Sequence, residues 1–204
     1  MYLFDQTILG IIVLLLLGVM VAVKRFTTGM FLEKPRGNLQ AVIANTYNIF
    51  FLLIAIPAAA VLLIIGQQNI IDPIHLSSDM SGFMTGLEIA GLVIFILGNI
   101  LMIWALIKLG HYYQVGGTLP RMADRMIIDG PYGLIRHPMY TAALSISLGL
   151  ACLIHSLIYF VIFIVYLVLI ILLIPDEETG LRQVYGKQYI TYIQHTKKLI
   201  PFLY

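Results

Sequence analysis

The stretch GPYGLIRHPMYTAALSISLG, residues Gly130 to Gly149, sets Tyr132, Arg136, His137 and Tyr140 at the mouth of an apolar run. Pro138 suits a first helical turn, where a missing N–H leaves no intrahelical bond unmade, so a helix should begin here. The free N–H groups and positive partial charge of such an end favour an anionic group such as a carboxylate. Polar side chains gathered at this point indicate chemistry. The plainer reading is that Arg136 and His137 meet lipid headgroups.

Outward from this stretch the chain reads as a membrane protein. Of its 204 residues 60% are hydrophobic and 11% charged, and the mean hydropathy is +0.96, which excludes an ordinary soluble domain. Apolar runs suited to a hydrocarbon core of about 30 Å lie at Leu9–Val23, Val42–Gly66, Phe83–Leu109, Met139–Ile154 and Leu157–Ile174. The expected fold is all-α and polytopic, with five transmembrane helices in a single membrane-embedded domain, residues 1–204. Three N-terminal spans occupy 1–109, and 110–204 holds the loop, hairpin and C-terminal helix. Only His155 and Ser156 separate the last two runs, so spans four and five form a helical hairpin.

All 12 Lys and Arg residues fall between spans one and two, between three and four, or after span five. Positive residues favour the cytoplasmic side of short loops, which puts the N-terminus outside and the C-terminus in the cytosol. In a prokaryote the membrane is the plasma (inner) membrane. The first run lacks a basic n-region and a small-residue cleavage site, so it reads as a span and not as a signal peptide. Topology and anionic lipid account for the basic loops, and no nucleic-acid partner is expected. The single Cys152 allows no intrachain disulfide, and five scattered His give no metal-ligand spacing. Pro57 should kink span two. Asn45, Asn48 and Asn99 read as helix-packing groups, and Glu88 either snorkels to the outer surface or is buried with a partner.

Residues 110–137 form a loop rich in Gly, Pro and aromatic residues, long enough to be functional and too apolar for disorder. After span five, Pro175-Asp176-Glu177-Glu178 opens a segment whose acidic start and basic end, Lys197 and Lys198, complement a helix dipole. Leu181, Val184, Tyr185, Tyr189, Tyr192 and Ile193 recur at helical spacing. They predict a cytosolic amphipathic helix whose stripe is either core or pocket lining. The hairpin sets the cytosolic ends of spans four and five side by side, making His137 and Glu177 neighbours although 40 residues apart.

In their order, GPYGLIRHPMY, a helical hairpin, PDEE and VYGKQYITYIQHTKKLIP resemble the isoprenylcysteine carboxyl methyltransferase family from about Met126 to Pro201. The family pattern runs G-x-Y-x-x-x-R-H-P-x-Y, an E-E pair after the hairpin, F/Y-G-x-x-Y-x-x-Y and a final I-P or L-P. The resemblance implies a membrane methyltransferase using S-adenosylmethionine in a cytosol-facing pocket. It implies that the cofactor is held by Asp124, Arg125, Met126, Ile127, Tyr132, His137, Pro138, Met139, Tyr140, Glu177 and Glu178. Arg136 is the basic side chain nominated for the transfer centre, or else a bridge to Glu177 or Glu178. The chemistry agrees: a carboxylate suits the cofactor's ammonium, a helix N-terminus its carboxylate, and aromatic faces its adenine or sulfonium.

Three positions depart from the family. Asp124 stands where it usually has His, Lys198 where it has Arg, and Leu173 where an Arg is thought to engage the substrate carboxylate. Leu cannot replace a bidentate guanidinium. The expected acceptor is therefore a lipophilic small molecule or lipidated substrate, either isoprenylcysteine carboxylate or another hydrophobic carboxylate, thiol or amine, met among membrane lipids. Two other classes stay open: a membrane reductase of sterol-reductase-like fold using a nicotinamide cofactor, and a non-enzymatic membrane protein such as a transporter subunit or assembly factor.

Overall fold

The computed structural model describes residues 3–32, 37–66, 81–113 and 125–200. Helix α1 (Gln6–Thr28) begins where Asp5 Oδ1 accepts the Ile8 N–H at 3.1 Å, satisfying a donor that the first turn leaves without a partner. Asn38 does the same for α2 (Leu39–Phe50), accepting the Ala41 N–H at 2.9 Å. A π-helical turn, Phe51–Ala55, leads without a break into α3 (Ile56–Ile65). Then follow α4 (Ser81–Leu109), α5 (Pro138–Ile154), α6 (Leu157–Tyr185) and α7 (Lys187–His195). The described residues form an all-helical bundle whose one β-type pairing is an isolated bridge between Ile135 and Lys197.

The π turn sits directly before Pro57. There the Ile56 N–H reaches back five residues to the Phe51 carbonyl, a local widening that accommodates a proline in the following turn. Tyr159 of α6 secures the same place, donating its hydroxyl to the Ala55 carbonyl at 2.7 Å.

Among the described residues, four helical stretches are long and apolar enough to cross a membrane: Gln6–Thr28, Leu39–Ile65, Gly82–Tyr112 and Leu157–Tyr185. The protein is thus integral and multi-pass. The expected fourth span, α5, is shorter. Its 17 residues rise about 25 Å, less than a hydrocarbon core of about 30 Å. The hairpin forms as expected, with His155 in the left-handed region (φ 55°) ending α5 and Ser156 Oγ capping α6 on the Tyr159 N–H at 3.4 Å.

The C-terminal helix differs from expectation in its boundaries. Span five does not stop at Ile174; α6 continues through Pro175 to Tyr185. A proline removes one ladder bond, which side-chain links from α5 to this extension offset. The break falls instead at Gly186, whose φ of 53° with ψ of −126° suits glycine.

Close approach of α4 and α5 positions the site. A Cβ on Gly149 would stand 2.6 Å from the Phe95 nitrogen and 2.8 Å from the Gly91 carbonyl, so the two backbones touch where these glycines meet. Leu9 and Val13 of α1 pack with Ala59, Ala60 and Leu63 of α3 in the same apolar core as Phe95, Ile146 and Leu150. At the end of the bundle away from α7, Glu88 is fully buried. Its carboxylate accepts the N–H groups of Leu3 and Phe4 at 2.8 and 3.1 Å, so it is partnered and does not snorkel.

Candidate functional site

The stretch ahead of α5 is fixed from both sides. Asp129 bonds Lys108 at the end of α4 at 2.6 Å, and the pairing holds the Asp129 carboxyl below its ordinary range. A 3-10 turn, Gly130–Gly133, buries Tyr132, whose carbonyl accepts the Tyr192 hydroxyl of α7 at 2.5 Å. The chain beyond α7 then crosses the start of α5 as a strap. Lys197 and Lys198 carbonyls accept the N–H groups of Arg136 and His137 at 2.7 and 3.0 Å, and the Leu199 carbonyl accepts the Thr141 hydroxyl at 2.7 Å.

Two links join the first turn of α5 and the residues just ahead of it to the polar extension of α6. Arg136 Nε donates to Glu178 Oε1 at 2.7 Å, with the two side chains only 9% and 6% exposed, and Arg136 Nη1 donates to the Thr196 carbonyl. Tyr140 donates its hydroxyl to Glu177 Oε2 at 2.5 Å. His137 lies between them, its Nε2 3.5 Å from Glu178 Oε1 and its ring stacked on Tyr140 with centroids 5.5 Å apart. The consecutive carboxylates are therefore used differently. Glu178 closes a buried ion pair, and Glu177 faces the cavity.

That cavity has a volume of about 310 Å³, within the range of small-molecule sites. His137, Tyr132, Tyr189 and Glu177 contribute polar groups to its wall, and Met20, Ile56 and Ile146 make its inner end apolar. Of the residues expected from sequence, Arg125, Met126, Ile127, Tyr132, Arg136, His137, Pro138, Met139, Tyr140 and Glu177 line it. Glu178 does not, and Asp124 lies outside the described residues. Leu173 is buried against Ala41 and Ala44 of α2, so its position serves helix packing.

The cavity also takes in residues that sequence reasoning passed over. Asn45 and Asn48, read as packing groups, line it, as do Lys24, Tyr113 and Tyr166. Amides inside an apolar span were the available signal. The tyrosine stripe of the C-terminal segment resolves as pocket lining, since Tyr185, Tyr189 and Tyr192 all contribute. Burial raises the hydroxyl pKa of Tyr132, Tyr189 and Tyr192 well above the ordinary phenol range, and nearby Glu177 adds to this at Tyr132. Of the buried polar atoms at the cavity, Tyr189 Oη has no hydrogen-bond partner among the described residues, and His137 Nε2 has the 3.5 Å approach of Glu178 Oε1.

Comparison with known proteins adds three findings. The phospholipid methyltransferase family profile matches residues 87–188, half of the chain. Protein-S-isoprenylcysteine O-methyltransferase B of Arabidopsis thaliana is 32% identical over 117 residues, covering 55% of this chain and 58% of that protein. The matched region thus spans less than two thirds of that relative's length. A solved eukaryotic intramembrane Ras methyltransferase, isoprenylcysteine carboxyl methyltransferase, superposes over 92% of this chain and 74% of its own, with a TM-score of 0.53 at 18% identity. That likeness is one of fold.

Proposed function

The chain belongs to the phospholipid methyltransferase family, and we propose that it moves a methyl group from S-adenosylmethionine to a lipophilic acceptor at the cytosolic face of its membrane. The observation that carries this reading is the cavity where Glu177, His137 and the buried Tyr189 hydroxyl, which has no partner among the described residues, open onto an apolar inner end. One cavity then offers polar partners to a soluble cofactor and apolar surface to a lipid. The clustering of basic residues at this end of the helices supports a cytosolic orientation.

The residues present fit the cofactor. Bound there, it would supply an electrophilic methyl group on a sulfonium. Glu177 would take the ammonium, its second oxygen already held by Tyr140. His137 and Tyr189 would donate to polar oxygens or accept from the adenine edge, and the tyrosine faces favour a cation. Met126 and Ile127 would border the cofactor with Tyr132 and Met139. Arg136, committed to Glu178 and Thr196, acts as a positioning residue that fixes His137. Methyl transfer asks for alignment and exclusion of water, which the strap and α7 provide by covering the polar end.

Calorimetric titration of the detergent-purified protein with S-adenosylmethionine and S-adenosylhomocysteine tests the proposal. Binding to wild type that is lost in His137→Ala and Glu177→Ala supports it. Folded wild-type protein that binds neither compound overturns it.

A further inference from the structure

Part-way down the cavity, between its polar wall and apolar end, Asn48 and Tyr166 make a second polar patch. Asn48 stands nine residues into α2, about 14 Å along the helix. The Tyr166 hydroxyl donates to Asn48 Oδ1. Tyr166 is itself fixed: it is 1% exposed and stacks on Tyr47 at 5.2 Å, and the Tyr47 hydroxyl donates to the Ile162 carbonyl at 2.6 Å. With its oxygen taken, the Asn48 amide keeps two N–H donors at Nδ2 that have no partner among the described residues, on a side chain that lines the cavity.

We propose that Asn48, oriented by Tyr166, recognises an uncharged oxygen acceptor, a carbonyl or hydroxyl, on the head of the lipophilic substrate; this rests on the methyl-transfer reading above. A neutral oxygen satisfies the amide donors without bringing a charge into an apolar wall. An anionic head at this depth would need a counter-charge. Arg136 is committed to Glu178 and the Thr196 carbonyl, Lys24 stands over the Tyr113 ring at 5.1 Å, and Arg125, which also lines the cavity, acts on Asp129 in the stretch ahead of α5. Beyond Asn48, the apolar surface of Met20, Phe51 and Ile56 accommodates a hydrocarbon tail. A site built to hydrogen-bond one substrate oxygen rejects analogues lacking it.

The test is equilibrium binding of three lipids of equal chain length to the detergent-purified protein: a methyl ketone, the ionised carboxylate and the plain hydrocarbon. The ketone should bind about tenfold more tightly than either of the others. Asn48→Leu, which removes the donor, and Asn48→Asp, which replaces it with a repelling acceptor, should both abolish that advantage. A carboxylate that binds wild type as tightly as the ketone overturns the proposal, the more so if Lys24→Gln weakens it. So does a ketone advantage that survives both Asn48 substitutions. S-adenosylhomocysteine binding, measured on every protein, reports folding. Its absence from wild type would strike the methyl-transfer reading, whereas the lipid preference is read from the lipids alone.

Discussion

The Tyr140 hydroxyl lies 2.5 Å from Glu177 Oε2, so one side chain of α5 fixes a cavity-facing carboxylate carried by α6. The hairpin brings these two helices together, but this bond decides where the negative charge stands. Tyr140→Phe should weaken S-adenosylhomocysteine binding about tenfold, the value of one hydrogen bond to a charged group. Calorimetry on the variant checks this, with thermal unfolding in the same detergent expected to change little. Unaltered affinity would separate Glu177 from cofactor binding.

The Arg136–Glu178 pair predicts a stability effect of another size. Both side chains are under one tenth exposed, so removing either partner leaves a buried charge uncompensated. Arg136→Ala or Glu178→Ala should each destabilise by about 3–5 kcal/mol. The double variant Arg136→Met with Glu178→Leu should recover much of this loss, since apolar replacement removes both charges together. Thermal unfolding of the three proteins decides it. A double variant as unstable as the singles would mean that the Thr196 contact carries the effect.

Gly149 predicts a packing defect. A methyl group there meets the Phe95 nitrogen at 2.6 Å and the Gly91 carbonyl at 2.8 Å, both backbone atoms that can yield only if the helices separate. Gly149→Ala should cost about 1–3 kcal/mol and displace the start of α5. A lower unfolding temperature, together with weaker binding at a site far along the helix, is the expected pair of readings. Gly18→Ala, where nothing lies within 4 Å, is the control expected to leave both unchanged.

Alkaline pH should loosen the polar end of the bundle. Burial raises the phenol pKa values of Tyr132, Tyr189 and Tyr192 in the folded protein. The unfolded chain releases these protons near pH ~10 while the folded chain retains them. Unfolding therefore releases protons, and stability falls as pH rises above that point. Unfolding temperature should be flat through neutral pH and drop beyond about pH 10, with a shallower drop in Tyr132→Phe and Tyr192→Phe. An equal slope in wild type and both variants would place the titration elsewhere.

Sequence by itself determined the helical membrane fold, the hairpin turn at His155–Ser156 and the stretch from Met126 to Tyr140 that borders the cavity. These are matters of local chemistry: apolar run length, a proline at a helix start, and polar groups where a span should begin. Tertiary structure alone decided which of two adjacent acids faces the cavity, because Glu177 and Glu178 look alike in sequence and differ only in the side of α6 that meets Tyr140 or Arg136. It also decided that Asn48 lines a cavity and is not simply a packing group, since that depends on Tyr166 arriving 118 positions later in the chain. The end of this helix lies at Tyr185 and not at Ile174 for the same reason. A proline is a local signal to stop, and links formed across the hairpin held the helix beyond it.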